Sequence, residues 1–426
     1  MTELLAETWA ALGGGPPPPV TVSGSTGLSG PLAAEETALA AVAAQLLAAR
    51  ELAGSAAPVE LDARHVGLAV RSERFVTRGG APVGPGFAPM SRFWRAGDGW
   101  VRLHANYPHH RAAVVSVLGE DDPDATAAGM TALDLEEAVV AAGGAAAAVR
   151  TEAEWAASAP GRAVAGLPLL SLDRVGNAPA RDVGRPRVLS FTRVIAGPVA
   201  ARTLAAHGAD VLRLESPRLP EDPGTLADTG SGQRTAVVDL ATPAGRAAME
   251  QLLAGADVLL LGYRPGALEA LGLDPAELAE RHPHLVVVRM SAWGTDGPWG
   301  RRRGFDSLVQ AATGIAAACG SADRPGVLPA QVLDHATGHL AAAAALRALT
   351  RRRDEGGVWH AELALARTAA RLLALGRFPD RAGDDPDPAP YLVELPTDGG
   401  PVAVVGPPGA PPWTHAARAS EPVWLS

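Results

Sequence analysis

Residues 187–215, RVLSFTRVIAGPVAARTLAAHGADVLRLE, read as a strand, a glycine turn, a helix and a second strand in immediate succession. The apolar run from Arg187 to Phe191 suits a buried parallel strand, Gly197-Pro198 opens the helix, Gly208 closes it, and Val211 to Leu214 supply the next strand. Such a unit commits the chain to an α/β fold, because two strands joined through one helix lie parallel in a common sheet. The helix N-terminus presents unsatisfied N–H groups, which attract phosphate. A dinucleotide fold wants G-x-G-x-x-G at this turn, and of those glycines only Gly197 is present. Glu215, closing the second strand, suits a ribose contact, so an NAD-type ligand stays open beside another phosphorylated carrier.

Bulk properties narrow the function classes. A formal net charge of −9 argues against nucleic acid as a partner. All 37 basic residues are arginines, so a phosphate contact has to come from Arg or from backbone N–H. Cys319 is the single cysteine, which excludes an internal disulfide and a cysteine-based metal cluster. The alanine-rich runs near 140 and 341 are too short and too weakly apolar to cross a bilayer, and no cationic leader precedes an apolar stretch at the start. No membrane contact and a cytoplasmic location are expected.

Five further segments follow the opening unit: GQRTAVVDLATPAGR (232–246), ADVLLLGYRPGALEALGL (256–273), HPHLVVVRMSAWGTDGPW (282–299), GFDSLVQAATG (304–314) and LDHATGHLAAAAAL (333–346). Taken in this order over about 160 residues, the six resemble the family III CoA-transferases, relatives of carnitine CoA-transferase and formyl-CoA transferase. The resemblance implies an α/β fold with a Rossmann-like large domain on a parallel sheet and a smaller α+β domain. It implies transfer of CoA between an acyl-CoA thioester and a small carboxylic acid, without metal, ATP or a permanently bound cofactor. Asp334 stands where the family has its catalytic aspartate, which carries a covalent aspartyl-CoA intermediate. Coenzyme A contacts fall by the same register on Ile195, Ala196, Arg234, Arg264, Arg289, Met290 and Ser291. Family members form interlocked homodimers, so a homodimer is expected.

The residues themselves leave alternatives. An aspartate at the start of a long helix favours its carboxylate through the dipole, and a structural cap has the same signature as a nucleophile. The related α-methylacyl-CoA racemases place a histidine between the glycine and the aspartate of GFD; Phe305 stands there and cannot exchange a proton. His335 and His339 flank the aspartate; His335 suits tuning of Asp334 or a substrate contact, with a helix-surface place the simpler reading, while Trp94, Trp100 and Trp293 read as core or pocket wall and Gly314 and Gly320 as turn glycines near the site. Two departures bear on the pocket: the segment between Glu215 and Arg234 is short, and a glycine-rich closing loop is unrecognisable unless Gly399-Gly400 stands in for it.

The chain order predicts an irregular arm with one short helix at 1–20, a helical segment at 21–82, a small α+β domain at 83–180, the large domain at 185–375 and a return segment at 376–426. DGWVRLHANY (98–107) alternates like an exposed strand, and 135–157 reads as helix, glycine stop, strand and a helix capped by Thr151 with Glu154. Residues 32–54 echo 333–357, with Leu32 facing Leu333 and Leu39 facing Leu340, and 59–66 then faces 361–368. Chance similarity between alanine-rich helices is the competing explanation. In this alignment Asp334 faces Ala33, so the first copy lacks the carboxylate.

Overall fold

Strand Arg187–Phe191, helix Ala196–Ala206 and strand Asp210–Glu215 form where the apolar pattern places them. They sit at the centre of a computed structural model that describes residues 1–84, 86–321, 323–378 and 385–425. Eight strands share one sheet in the order Arg418–Ala419, Arg234–Val237, Asp210–Glu215, Arg187–Phe191, Val258–Leu261, Val286–Ser291, Val358–Ala364 and Leu170–Gly176. Every pair is parallel except the last. The inner strands are continuous apolar runs such as Val258–Leu261 because helices cover both faces of the sheet. Strand order reverses between Arg187–Phe191 and Val258–Leu261, and open α/β sheets bind ligands beyond the carboxyl ends of the strands at that point.

The smaller domain is a three-stranded antiparallel sheet, Phe93–Arg95, Trp100–Leu103 and Ala146–Ala148, backed by helices Pro108–Leu118 and Ala132–Ala141. Strand Trp100–Leu103 lies in the middle with Val101 and Leu103 fully buried, so the alternation that suggested an exposed strand misleads. The helix Glu152–Ala157 carries the expected capping box of Thr151 and Glu154. The domain ends earlier than 180, since Leu170–Gly176 pairs antiparallel with Val358–Ala364 in the large sheet. The one short helix expected in the first 20 residues is present and packed. Helix Thr2–Ala11 buries Leu4, Leu5 and Trp9, and the Arg371 guanidinium donates to Glu3 and Glu7.

In the return segment, Leu392–Leu395 and Val402–Val405 pair with each other, and the latter also with Thr77–Arg78. Of the return segment at 376–426, residues 379–384 and 426 lie outside the described residues.

The echoed segments adopt the same succession of elements. Helix Ala34–Leu52, strand Val59–Asp62 and helix Ala63–Ala69 stand against helix Val332–Glu355, strand Val358–Ala364 and helix Leu365–Ala374, and the two long helices pack on each other. Asp62 and Ala364, which face each other in the alignment, each precede the first helical residue. The sheet registers add a match that the helices could not show. Ser23 of strand Val20–Ser23 pairs with Asp62 in parallel, as Ser291 pairs with Ala364. VTVS (20–23) therefore stands to the first unit as VRMS (288–291) stands to the second.

Candidate active site

The turns that leave the sheet at its switch point line an open cleft of about 290 Å³. Val194, Ala196 and Gly197 come from the turn after Arg187–Phe191, Tyr263 and Arg264 from the turn after Val258–Leu261, and Met290, Ser291 and Ala292 from the end of the next strand. The side chain of Asp334 reaches the cleft from the first turn of helix Val332–Glu355 and is 5% exposed. That helix comes close because residue 338 is glycine. A Cβ there would stand 2.5 Å from the Ala196 carbonyl oxygen and 2.9 Å from the Val199 side chain.

Asp334 does not cap its helix. The N-cap is Gln331, and among the described residues no donor hydrogen-bonds to the Asp334 carboxylate. Its backbone N–H instead donates to Asp306 Oδ2 at 3.0 Å, and Gln310 Nε2 donates to Asp306 Oδ1 at 2.5 Å. Two buried carboxylates thus share this corner, with Asp306 fully inaccessible. Burial pushes Asp334 well above the usual carboxylate range, and the negative charges of Asp306 and Glu73 push the same way. Burial also raises Asp306, offset in part by the donors from Gln310 and Asp334. A group that is unbonded, buried and repelled by its neighbours is easily converted to a neutral ester-like or thioester form.

The remaining wall comes from the smaller domain and from the loop before Phe305. Tyr107, His109 and His110 line the cleft together with Arg193, Arg303 and Phe305, the Arg193 guanidinium lying over the Tyr107 ring. The His104 ring lies flat on Phe305 at 3.6 Å and 2°, which joins the small-domain sheet to the loop carrying GFD. His110 is driven down to about 3 by burial, with His109, Arg303 and Arg193 adding repulsion, so it is neutral at pH 7. Arg264 and Arg303 have no acidic partner among the described residues, whereas Arg302 is bound to Glu136 and Glu137. Two free guanidiniums at the mouth favour an anionic ligand.

Of the expected carrier contacts, Ala196, Arg264, Met290 and Ser291 line the cleft, and Ile195 is the buried N-cap of the helix at the first turn. Arg234 does not. It is buried at the opposite end of the sheet, where its guanidinium donates to Asp210 at 3.0 and 2.9 Å and to the Ser420 hydroxyl and Val423 carbonyl. Arg289 is not among the lining residues and pairs with Glu362 on the neighbouring strand. His335, expected on the helix surface, is fully buried with Nε2 3.7 Å from Glu73 Oε2. Gly314, Gly320, Gly399 and Gly400 lie outside the cleft lining, and the last two belong to the turn between Leu392–Leu395 and Val402–Val405.

Sequence reasoning missed Tyr107, His109, His110, Arg193 and Arg303 as wall residues. The histidine pair was visible as YPHH after a strand, but nothing local shows which surface it meets.

The sheet thus carries a carboxylate on the helix opposite its switch-point turn, in an open cleft. Residues 186–389 match the model of CoA-transferase family III. The chain is 35% identical over 231 residues to the probable fatty acyl-CoA transferase Rv3272 of Mycobacterium tuberculosis, covering 50% of this chain and 59% of that protein. It is 31% identical over 248 residues to the succinate–glutarate CoA-transferase of Agrobacterium fabrum, covering 52% and 62%. The chain therefore spans about three-fifths of the length of these curated relatives. Among solved structures, the orthorhombic form of Rv3272 superposes with a TM-score of 0.43 at 34% identity, over 47% of this chain and 58% of that one.

Proposed function

We infer that the protein is an acyl-CoA:carboxylate CoA-transferase with Asp334 as its nucleophile. The observation that carries this reading is the Asp334 carboxylate, buried in the cleft and without a hydrogen bond among the described residues, inside the segment that matches the family. The named relatives act on acyl groups as different as fatty acids and glutarate, so the acyl class is left to a donor screen.

In the reaction, an Asp334 oxygen attacks the thioester carbonyl of the donor. The tetrahedral oxyanion collapses and expels CoA thiolate, leaving a mixed anhydride. The thiolate attacks the aspartyl carbonyl, releases the donor's carboxylate and forms the aspartyl-CoA thioester. The acceptor carboxylate attacks that thioester and expels the thiolate again. Attack of the thiolate on the acceptor's carbonyl then yields the new acyl-CoA and regenerates Asp334. Charge is conserved through every step, so neither metal nor ATP is called on. Ile195, Ala196, Met290 and Ser291 hold the carrier along the cleft, and Arg264 meets its phosphates. A homodimer in the cytoplasm completes the reading, with sedimentation as its check.

The test is incubation with assorted acyl-CoAs, followed by intact-mass analysis and peptide mapping. A CoA adduct on Asp334, absent from Asp334→Asn, is expected. Binding of CoA with no adduct from any donor would instead indicate a catalytically idle carrier-binding protein, and tighter binding of a nicotinamide dinucleotide would overturn the carrier assignment.

A further inference from the structure

The segment between Glu215 and Arg234 contains a buried carboxylate with an unusual set of partners. Glu221 is 8% exposed, and each of its oxygens holds a different part of the cleft. Oε1 accepts the Tyr107 hydroxyl at 2.8 Å, from the smaller domain. Oε2 accepts the Val194 N–H at 2.9 Å and the Arg213 guanidinium at 2.9 Å. Arg193 approaches Oε1 at 3.6 Å while its guanidinium lies 4.6 Å over the Tyr107 ring and donates to the Pro220 carbonyl. Burial would raise the carboxyl, but Arg213, Arg193 and the two donors outweigh it, so Glu221 is an anion.

Val194 is what makes this arrangement informative. Among the described residues it is the one non-glycine with positive φ, at 68°. A β-branched side chain in that region is strained by about 1–3 kcal/mol and persists where its surroundings over-determine it. Here the turn leads directly into Ile195 and Ala196, and Val194 itself lines the cleft. Asp222, the next residue, caps a helix through Thr225 N–H, which fixes Glu221 from behind.

We propose that Glu221 is a positioning residue that locks the strained Val194 turn and the Tyr107 wall of the smaller domain into one rigid edge for the carrier. It touches no reacting atom; it acts by presetting backbone that a flexible segment would have to order on binding. In so far as that edge serves acyl-CoA, the inference rests on the proposed transferase reading.

Hydrogen exchange of the free protein tests the clamp without any substrate. In Glu221→Gln, peptides spanning 192–197 and 104–110 should both exchange about tenfold faster, as expected for loss of a charged hydrogen bond near 1.4 kcal/mol. Unchanged exchange in both peptides of the folded variant overturns the proposal. Tyr107→Phe removes one hydroxyl and leaves Arg213 paired, so it serves if Glu221→Gln does not fold: 104–110 alone should loosen, and an unaltered 104–110 overturns the domain lock. In turnover, Glu221→Gln should raise KM for acetyl-CoA about tenfold with kcat within about twofold. Adding Val194→Gly should recover at least half of that loss on a logarithmic scale, because glycine takes the turn's φ without strain. A fall in kcat at constant KM, or no recovery with glycine, contradicts the positioning role. If wild-type protein binds no acyl-CoA, the transferase reading fails, and the exchange result still decides the clamp.

Discussion

Gly338→Ala sets two effects of opposite sign against each other. In an exposed helix interior the change would stabilise by about 1 kcal/mol. Here the new Cβ would stand 2.5 Å from the Ala196 carbonyl oxygen, against a comfortable carbon–oxygen contact of roughly 3.3–3.6 Å. The obstacle is backbone, so the two helices have to part by most of that shortfall. Overpacking of this kind costs about 1–3 kcal/mol, enough to reverse the propensity gain. The larger consequence is geometric, because Asp334 sits one turn before Gly338 and the turn at Ile195 and Ala196 lies opposite. A displacement near 1 Å between nucleophile and bound thioester lowers the rate by about 100-fold. Thermal unfolding and the single-turnover rate of aspartyl-CoA formation measure the two parts. A midpoint lowered by a few degrees with an adduct rate reduced by about two orders of magnitude is expected. A raised midpoint with an unchanged rate would refute the close helix contact as the device that delivers Asp334.

In the proposed reaction Asp334 attacks as an anion, and its carboxyl is raised by burial and by Asp306 and Glu73; adduct formation should therefore fail on acidification at a pH above the range of an ordinary aspartate. Asp306→Asn removes one repelling charge, lowers the Asp334 pKa and should move this acid limb to lower pH, so a limb that moves upward or stays put contradicts the pair. Arg234→Met should leave the buried Asp210 unpaired and cost about 3–5 kcal/mol of stability by denaturant unfolding, with CoA affinity retained in folded protein. Arg264→Met should do the reverse, weakening CoA binding by about tenfold or more in calorimetry with little change in unfolding.

Phe305 illustrates how far local pattern reaches. Its place in GFD is read directly from the sequence, and the structure keeps it at the cleft, stacked on His104. That partner follows the strand Trp100–Leu103, some two hundred residues earlier, and nothing near position 305 announces it. Arg234 and Arg289 fail for a related reason: matching segments name the strands, while the side of the sheet and the end of the strand decide which arginine meets a ligand. The internal repeat behaved differently again. Helix similarity alone was cheap, and the equal pairing of Ser23 with Asp62 and Ser291 with Ala364 gave it independent support.

Apolar periodicity and turn chemistry depend on near neighbours, and they were sufficient to set the parallel sheet, the helix after Gly197, the capping box at Thr151 and the position of Asp334 on the first turn of its helix. The burial of Asp334 against Asp306, the anchoring of the Val194 turn by Glu221 and the wall of Tyr107, His109 and His110 depend on contacts between segments far apart in the chain. Only the folded arrangement of the sheets brings those groups within hydrogen-bonding or Coulombic range, and so only tertiary structure decides them.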